Sequence, residues 1–332
     1  MRNTNLFNNA VANNNSDNNG GITMTDINSM DSFVKVVLGA MKVRFGEGYK
    51  VDVNKVMKNN GLELTGLCIR DESVNLAPTI YLEQFYNQYN EGRGLEDILE
   101  NIVYIYESHK VTYDFDVSSI MDFDRVQDKI CCKLISASRN AELLKNAPYV
   151  TVEDMVIVFF VLLGHDVDGT ATITIKNDLF NSWGITVDEL YNIALSNTES
   201  RLRGTVRSMS SVLTEIMAIE MDEATATEFF DLFISEDDVP MYIATNESKQ
   251  YGATVIVYRD LLKEVANKLN SDLYILPSSV HETILVPASI GMNVDELKDM
   301  VMCVNSTEVA EEEVLSDSVY YYDRALDIFQ LA

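Results

Sequence analysis

Residues 272–289 read DLYILPSSVHETILVPAS and contain two short apolar runs on either side of a polar segment. The runs are Leu273–Leu276 and Thr283–Val286, and the segment between them, residues 277–282 (PSSVHE), is called the PSSVHE turn below. Short apolar and β-branched runs bounded by proline and serine are typical of strands joined by a turn. The stretch therefore predicts an antiparallel hairpin.

A pattern of strand, strand and helix occurs twice in this part of the chain, and the hairpin supplies the two strands of the second occurrence. The first unit covers about residues 241–269, with its second strand at Ala253–Val257, and the second unit covers about residues 273–304. A final strand is predicted at Val319–Tyr322. Because local connections join antiparallel strands, the pattern favours an α+β fold with mostly antiparallel sheets and helices packed on one face.

The first half of the chain also combines helix and strand signals. Asn59-Asn60-Gly61 separates two extended runs, which is a strong hairpin signal. Further along, Val152–Leu163 is apolar on both faces, as a central strand would be, and the alternating residues 170–175 (TATITI) suit its partner strand. We therefore predict two α+β lobes, at residues 24–147 and 148–332.

Residues 1–23 are rich in asparagine and have little to bury, so a disordered tail is expected before the lobes. Ordered structure is predicted to begin near Thr25 or Asp26, which are good N-cap residues, with a helix that ends before Gly46. The pattern of residues 125–136 does not decide between helix and strand.

The composition is strongly acidic. The 332 residues include 52 Asp and Glu against 25 Lys and Arg, for a formal net charge of -27 at pH 7. Such a charge repels phosphate backbones and anionic lipid surfaces, so direct binding to nucleic acid or to a membrane is disfavoured. A basic protein partner is favoured instead, and an acidic inhibitor that mimics DNA stays an alternative.

Cysteine usage and targeting signals indicate a cytoplasmic protein. The four cysteines have neither disulfide-framework nor zinc-binding spacing, which favours free buried thiols in a reducing compartment. The N-terminus does not resemble a secretory signal, and the longest apolar run, Met155–Leu163, is about half the roughly 20 residues that a membrane helix needs. No cofactor or metal is expected, because neither a dinucleotide fingerprint nor a phosphate loop is present.

The PSSVHE turn contains several side chains that could take part in catalysis or binding. Ser279 and His281 are two residues apart and would share a face of an extended chain, whereas Glu282 would point to the other face. A Ser–His–Glu relay within the turn is therefore geometrically poor, and Leu285 stands where the zinc motif H-E-x-x-H has its second histidine. Two interpretations stay open. The side chains only form hydrogen bonds with the backbone of the turn, or Ser278 or Ser279 acts with His281 in a hydrolase.

Three consecutive tyrosines lie in the predicted final strand. Tyr320 and Tyr322 would share one face and Tyr321 the other, because side chains alternate along a strand. One face would pack on the core and the other would form a contact surface, since tyrosine is enriched at protein interfaces. The candidate binding residues are Ser278, Ser279, His281, Glu282, Tyr320 and Tyr322.

Four stretches of the chain resemble an uncharacterised bacterial family. They are residues 275–287 (ILPSSVHETILVP), residues 171–175 (ATITI) followed by Trp183-Gly184, residues 187–197, and residues 313–324 (EVLSDSVYYYDR). The members of this family are known from genomes of gut anaerobes and are grouped as a domain of unknown function. The resemblance covers most of the chain from about residue 30 and implies one scaffold, without implying an activity.

A non-catalytic function is favoured by what the sequence lacks. It contains no G-x-S-x-G nucleophile elbow, and its histidines are far apart. We therefore predict a cytoplasmic, acidic binding or interaction protein without catalytic machinery, with the oligomeric state left open.

Overall fold

A computed structural model of the chain describes residues 27–74, 77–110, 118–166, 169–220, 240–277 and 279–332. The described residues combine helices with three antiparallel sheets, which confirms the predicted α+β class. The chain divides into two compact units, Met1–Lys58 with Leu62–Val117 and Asn59–Gly61 with Ser118–Ala332. The predicted tail and the N-cap candidates Thr25 and Asp26 lie outside the described residues.

The first unit is a three-stranded antiparallel sheet in the order β1-β2-β3, with helices packed on one face. Its elements in chain order are α1 (Met30–Phe45), β1 (Tyr49–Met57), β2 (Glu63–Asp71), β3 (Thr79–Tyr81), α2 (Glu83–Asn90) and α3 (Leu95–His109). The helices and the sheet share one core, whose members include Phe33, Met41, Leu67, Ile69, Phe85, Ile98 and Ile102.

The first hairpin is confirmed by the pairing of β1 with β2 from Tyr49 opposite Asp71 to Met57 opposite Glu63. Asn60 and Gly61, in the connection, have φ angles of 59° and 73°. This left-handed backbone is adopted at least cost by glycine and asparagine, which explains why an Asn-Gly pair is found here.

The second unit contains two sheets and the helices that cover them. Its helices are α4 (Ser118–Met121), α5 (Phe123–Val126), α6 (Ala141–Leu144), α7 (Asn177–Trp183), α8 (Val187–Arg201), α9 (Met209–Glu220), α10 (Leu261–Leu269) and α11 (Val294–Thr307). Its strands are β4 (Ile130–Ser136), β5 (Tyr149–Val152), β6 (Met155–Asp166), β7 (Gly169–Thr174), β8 (Gly204–Ser208), β9 (Tyr242–Asn246), β10 (Leu273–Pro277), β11 (Thr283–Pro287), β12 (Tyr320–Asp323) and β13 (Ile328–Leu331).

The four-stranded sheet is built around β6, which pairs with β4, β5 and β7. Every residue from Met155 to Val161 is buried, so the predicted central strand and its partner at β7 are confirmed. Residues 125–136, which the sequence left undecided, split into the end of α5, a 3-10 turn at Gln127–Lys129 and the strand β4. Thr198 on α8 accepts a hydrogen bond from the backbone N–H of Cys132 at 2.9 Å, which joins that helix to β4.

The six-stranded sheet has the order β13-β12-β10-β11-β9-β8, with every neighbouring pair antiparallel. The predicted hairpin of β10 and β11 is confirmed, with Leu273 opposite Pro287 and Pro277 opposite Thr283. Leu297 and Val301 on α11 pack against one face of this hairpin. β13 was not predicted from the sequence, because its four residues are too few to show a period.

One predicted strand is wrong. Ala253–Val257 belongs to a 3-10 helix at Gly252–Val257, so residues 241–269 form a strand, a 3-10 helix and an α-helix instead of the predicted strand, strand and helix. The 3-10 helix is held from two sides, because Ala253 N–H donates to the Val280 carbonyl at 3.2 Å and the Thr254 hydroxyl accepts from Leu134 N–H at 3.1 Å. A short buried apolar run has the same composition in either conformation, so periodicity does not separate them.

The lobe boundary at residue 147 stays a prediction, and it would place β4 and its partner β6 on opposite sides of the boundary.

The expectation that all four cysteines are buried is wrong for Cys303, which is exposed, whereas Cys131 and Cys132 are buried and Cys68 is partly buried. In the described ranges, none of the helices combines the length and apolar character that crossing a bilayer requires.

Candidate functional site

The PSSVHE turn connects β10 to β11 and is held by its own backbone and by one serine. Ser279 N–H donates to the Glu282 carbonyl at 3.1 Å, and the Ser279 hydroxyl accepts from the backbone N–H of His281 at 3.0 Å. A serine that bonds a backbone group two residues further on stabilises a tight turn. Ser278, the other serine of the turn, lies outside the described residues.

Both ring nitrogens of His281 have partners in other segments, and 32% of its side chain is exposed. Nδ1 accepts a hydrogen bond from the backbone N–H of Tyr251 at 3.3 Å, and Nε2 lies 3.4 Å from Glu313 Oε1. Because Nδ1 is an acceptor, the neutral ring carries its proton on Nε2, where it faces the carboxylate. The Ser279 hydroxyl therefore bonds the backbone of His281, while the imidazole bonds elsewhere.

Tyr251 links His281 to a lysine on the neighbouring sheet. Its ring is nearly parallel to the imidazole, with an interplanar angle of 16° and 6.0 Å between centroids. Lys133 on β4 places its Nζ 4.1 Å from the centroid of the same ring, which is cation–π geometry. Lys133, Tyr251, His281 and Glu313 thus form a continuous row of contacts, called the His281 cluster below.

The backbone of Tyr251 is unusual. Its φ of 52° lies in the left-handed region, which a bulky residue rarely adopts. Its N–H is the group that donates to His281, and the next residue, Gly252, opens the 3-10 helix. A Cβ on Gly252 would overlap the Thr245 hydroxyl and the His281 carbonyl, so only glycine fits this close approach.

A short acidic segment, residues 311–314 (EEEV), completes the site and is called the acidic turn below. Asn60 Nδ2 donates to its first and last carbonyls at 2.8 and 2.7 Å, and Asn59 Nδ2 donates to the second at 2.7 Å. Val280 N–H donates to the third carbonyl at 2.8 Å. Asn59–Gly61 belong to the second unit, so these contacts lie within one unit. All four carbonyls are therefore bonded, and the backbone of the acidic turn is held from two sides.

The acidic turn presents its carboxylates at the surface. Glu311 is exposed, Glu312 is half-buried, and the Glu313 side chain is 42% exposed beside His281. Glu308 precedes them and is also exposed, and Glu282 of the PSSVHE turn is half-buried. The site consequently combines a fixed backbone with a local excess of negative charge.

The tyrosine strand β12 has a different environment. Tyr320 and Tyr322 share one face, as predicted, and that face is buried, with at most 4% of either residue exposed. Their selection as binding residues stays a prediction. The Tyr320 hydroxyl donates to Asp154, whose other oxygen accepts from Ser316 and Ser318 at 3.0 and 2.9 Å. Burial, with the Asp154 bond second, raises the pKa of Tyr320 well above its usual value.

The other two tyrosine hydroxyls also bond to carboxylates. The Tyr322 hydroxyl donates to Asp327, and burial, followed by that bond, raises the pKa of Tyr322. The Tyr321 hydroxyl donates to Asp272 Oδ2 at 2.8 Å, and this bond, with burial second, raises the pKa of Tyr321 to about 12. The two predicted binding tyrosines therefore bond to the carboxylates of Asp154 and Asp327, and neither takes part in the contacts of the PSSVHE turn.

Sequence reasoning identified Ser279, His281 and Glu282, and it missed Lys133 and Tyr251. The acidic run at residues 308–313 was a visible signal, because four glutamates in six residues are unusual. Lys133 and Tyr251 had no local signal, since the contacts that recruit them come from segments far apart in the chain. Across the part of the chain that the structure describes, no three His, Cys, Asp or Glu residues group in a way that could hold a metal ion.

These features describe an acidic α+β protein with a candidate site built on a hairpin turn and an acidic turn. The chain belongs to the family of unknown function DUF5688, whose model matches residues 30–324. The resemblance to a family of unknown function is thereby confirmed. No curated protein and no solved structure matches the chain.

Proposed function

We propose that this protein is a non-catalytic binding protein that holds a basic protein partner on the acidic turn beside the His281 cluster. The observation that carries the proposal is the fully bonded backbone of residues 311–314 in a chain with a net charge of -27. A surface segment that is already ordered loses less conformational entropy when a partner binds. Bacterial origin and a cytoplasmic location belong to the same proposal and are supported by the sequence resemblance and by cysteine usage.

Electrostatics favours a basic partner. The net charge attracts a cation-rich surface over distances up to the Debye length, about 8 Å at physiological ionic strength, and this attraction raises the association rate. Each exposed ion pair contributes only about 0.2–1 kcal/mol, so specificity requires several carboxylates in a fixed arrangement. The acidic turn supplies such an arrangement.

The geometry of His281 supports a binding role over a hydrolytic one. A general base needs a free nitrogen lone pair within reach of the nucleophile. The Nδ1 lone pair of His281 accepts from Tyr251, and the Nε2 proton faces Glu313. The imidazole is therefore suited to orienting the Glu313 carboxylate and the turn next to it.

Charge reversal tests the proposal. In Glu311→Lys/Glu312→Lys, each substitution adds two charges and the net charge rises from -27 to -23. We expect affinity capture from the source organism to recover a basic protein in stoichiometric amount with the wild type, with less recovered at high salt. The charge-reversed variant should lose that partner, because the local field at the acidic turn is inverted.

The matched control is Asp178→Lys/Glu247→Lys, which makes the same change in net charge at two exposed positions elsewhere in the second unit. This control should keep the partner. If both variants lose it equally, the interaction depends on overall charge and the proposed site is wrong. If the wild type recovers no basic protein at low or physiological salt, the proposed function is wrong.

A further inference from the structure

β13 is the last strand of the six-stranded sheet, and among the described residues no strand pairs with its outer edge. Ala332 N–H donates to the carbonyl of Val319, which lies directly opposite, so this is a hydrogen-bonded pair of the antiparallel ladder. Such pairs alternate along a ladder. Ile328 and Gln330 therefore direct their backbone groups toward β12, and the backbone N–H and C=O of Phe329 and Leu331 face the open edge.

This edge has no formal charge along Ile328–Leu331, and three of its four residues are apolar. Ile328 and Leu331 are each 44% exposed, and Leu326, just before the strand, is 67% exposed. The nearest preceding charge, Asp327, is paired with Lys263 at 2.8 Å. Exposed edges of monomeric proteins usually have charges, prolines or bulges that prevent strand addition.

The opposite edge of the same sheet is protected in that way. β8 carries Arg207, whose guanidinium lies 2.6 Å from Glu215 Oε2 on α9, and α9 begins directly after the strand. β8 therefore carries a charged side chain, in an ion pair with the helix that follows it. The two edges of one sheet therefore differ, and the contrast marks β13 as the edge that can accept another strand.

We infer that β13 pairs with β13 of a second copy of this chain, antiparallel, about a two-fold axis at Gln330. In this register Phe329 lies opposite Leu331 of the second copy, and each residue offers one outward N–H and one outward C=O. The pairing closes four backbone hydrogen bonds and places a Phe–Leu pair on one face of the continuous sheet at each end. A contact in which the same residues face each other is the isologous geometry of two-fold dimers.

Charge determines where on the surface two copies can meet. Two chains of net charge -27 repel each other wherever acidic surfaces meet, and the strand segment is the part of the edge without formal charge. The repulsion is long-range and screened by salt, whereas the backbone pairing is short-range. Dimerisation should therefore strengthen as salt is raised, which is opposite to the salt dependence of the basic partner above.

Sedimentation velocity of the full chain over a range of concentrations tests the inference. The dimer fraction should rise as ionic strength goes from about 0.01 M to about 1 M, because the Debye length falls from about 30 Å to about 3 Å. Leu331→Pro removes an outward N–H from each copy without removing a donor to β12, and should weaken dimerisation by about tenfold or more. Leu331→Lys keeps the backbone but replaces the apolar neighbour of Phe329 in the second copy with a charged side chain, and should weaken dimerisation.

Ile216→Lys is the control, because Ile216 is 52% exposed on α9, the helix that follows the opposite edge strand β8. This variant should dimerise as the wild type does. Fluorescence of Trp183, which donates its Nε1–H to the Ile120 carbonyl, verifies that each variant is folded. A wild type that stays monomeric, a dimer that persists in both Leu331 variants, or a dimer that salt dissociates would each overturn the inference.

Discussion

The PSSVHE turn and the tyrosine strand β12 contain the candidate residues selected from the sequence, and they use polar side chains in opposite ways. In the turn, Ser279 and His281 bond to backbone groups, and the imidazole stays about one third exposed. In β12, the Tyr320 and Tyr322 hydroxyls are buried and bond to carboxylates. Polar side chains therefore contribute to a surface in the PSSVHE turn and to the interior in β12.

The difference predicts where substitutions act. Removing a buried ring leaves a cavity and unpaired packing contacts, which costs more than losing a hydrogen bond that water can replace. Substitutions in β12 should therefore reduce stability. Substitutions of exposed groups at the turn should mainly change what the surface binds.

The largest effect is expected at Tyr320. Tyr320→Ala removes a fully buried ring that stacks on Phe329 at 5.1 Å, and should lower the free energy of unfolding by about 3–5 kcal/mol. Tyr320→Phe keeps the ring and removes only the bond to Asp154, for a loss of about 1–3 kcal/mol. Urea unfolding followed by Trp183 fluorescence measures both, since the only tryptophan lies in the same unit.

The matching substitution at the turn is His281→Ala, which should cost at most about 1.5 kcal/mol because its ring is partly solvated and its bonds are long. If His281→Ala destabilises the protein more than Tyr320→Ala, the contrast between surface and interior is wrong.

An intermediate effect is expected at Gly252, where the turn meets the interior. Gly252→Ala places a methyl group against the Thr245 hydroxyl and the His281 carbonyl, and should destabilise the second unit by about 1–3 kcal/mol. The double variant Thr245→Ala/Gly252→Ala removes one of these obstacles and should recover part of the loss relative to Thr245→Ala alone. A wild-type melting curve for Gly252→Ala would show that the close approach is not required.

The smallest effect is a pH dependence that comes from Asp272. The Arg324 backbone N–H, followed by the Tyr321 hydroxyl, lowers the pKa of Asp272 below its usual value. A carboxylate with a lowered folded pKa stabilises the protein above its unfolded pKa of about 3.9, and this contribution is lost as the pH falls through the folded pKa. Asp272→Asn should therefore be less stable than the wild type at neutral pH, with the difference shrinking in acid.

Unfolding free energies measured from neutral pH into acid check this prediction. Tyr321→Phe removes the hydroxyl that is the second group lowering the pKa of Asp272. The acid dependence of the unfolding free energy should therefore fall only in part, because the backbone N–H of Arg324 remains. Equal acid dependence in the wild type and Asp272→Asn would contradict it.

Local patterns in the sequence were sufficient for most of the secondary structure. The β10–β11 hairpin, the central strand β6 and the Asn-Gly hairpin were predicted because strand periodicity and turn residues act over a few positions. The alternation of Tyr320 and Tyr322 onto one face followed from the same period of two. Where a short run carried no period, as at Ala253–Val257, the prediction was wrong.

By itself, the sequence determined the α+β class, the main hairpins, the acidic charge and the turn that contains His281. Only the tertiary structure decided that Tyr251, Lys133 and Glu313 surround this histidine, and that the tyrosines of β12 are bonded to carboxylates. The physical reason is one of range. Backbone conformation and side-chain alternation depend on neighbours in sequence, whereas burial and hydrogen-bond partners depend on which distant segments pack together.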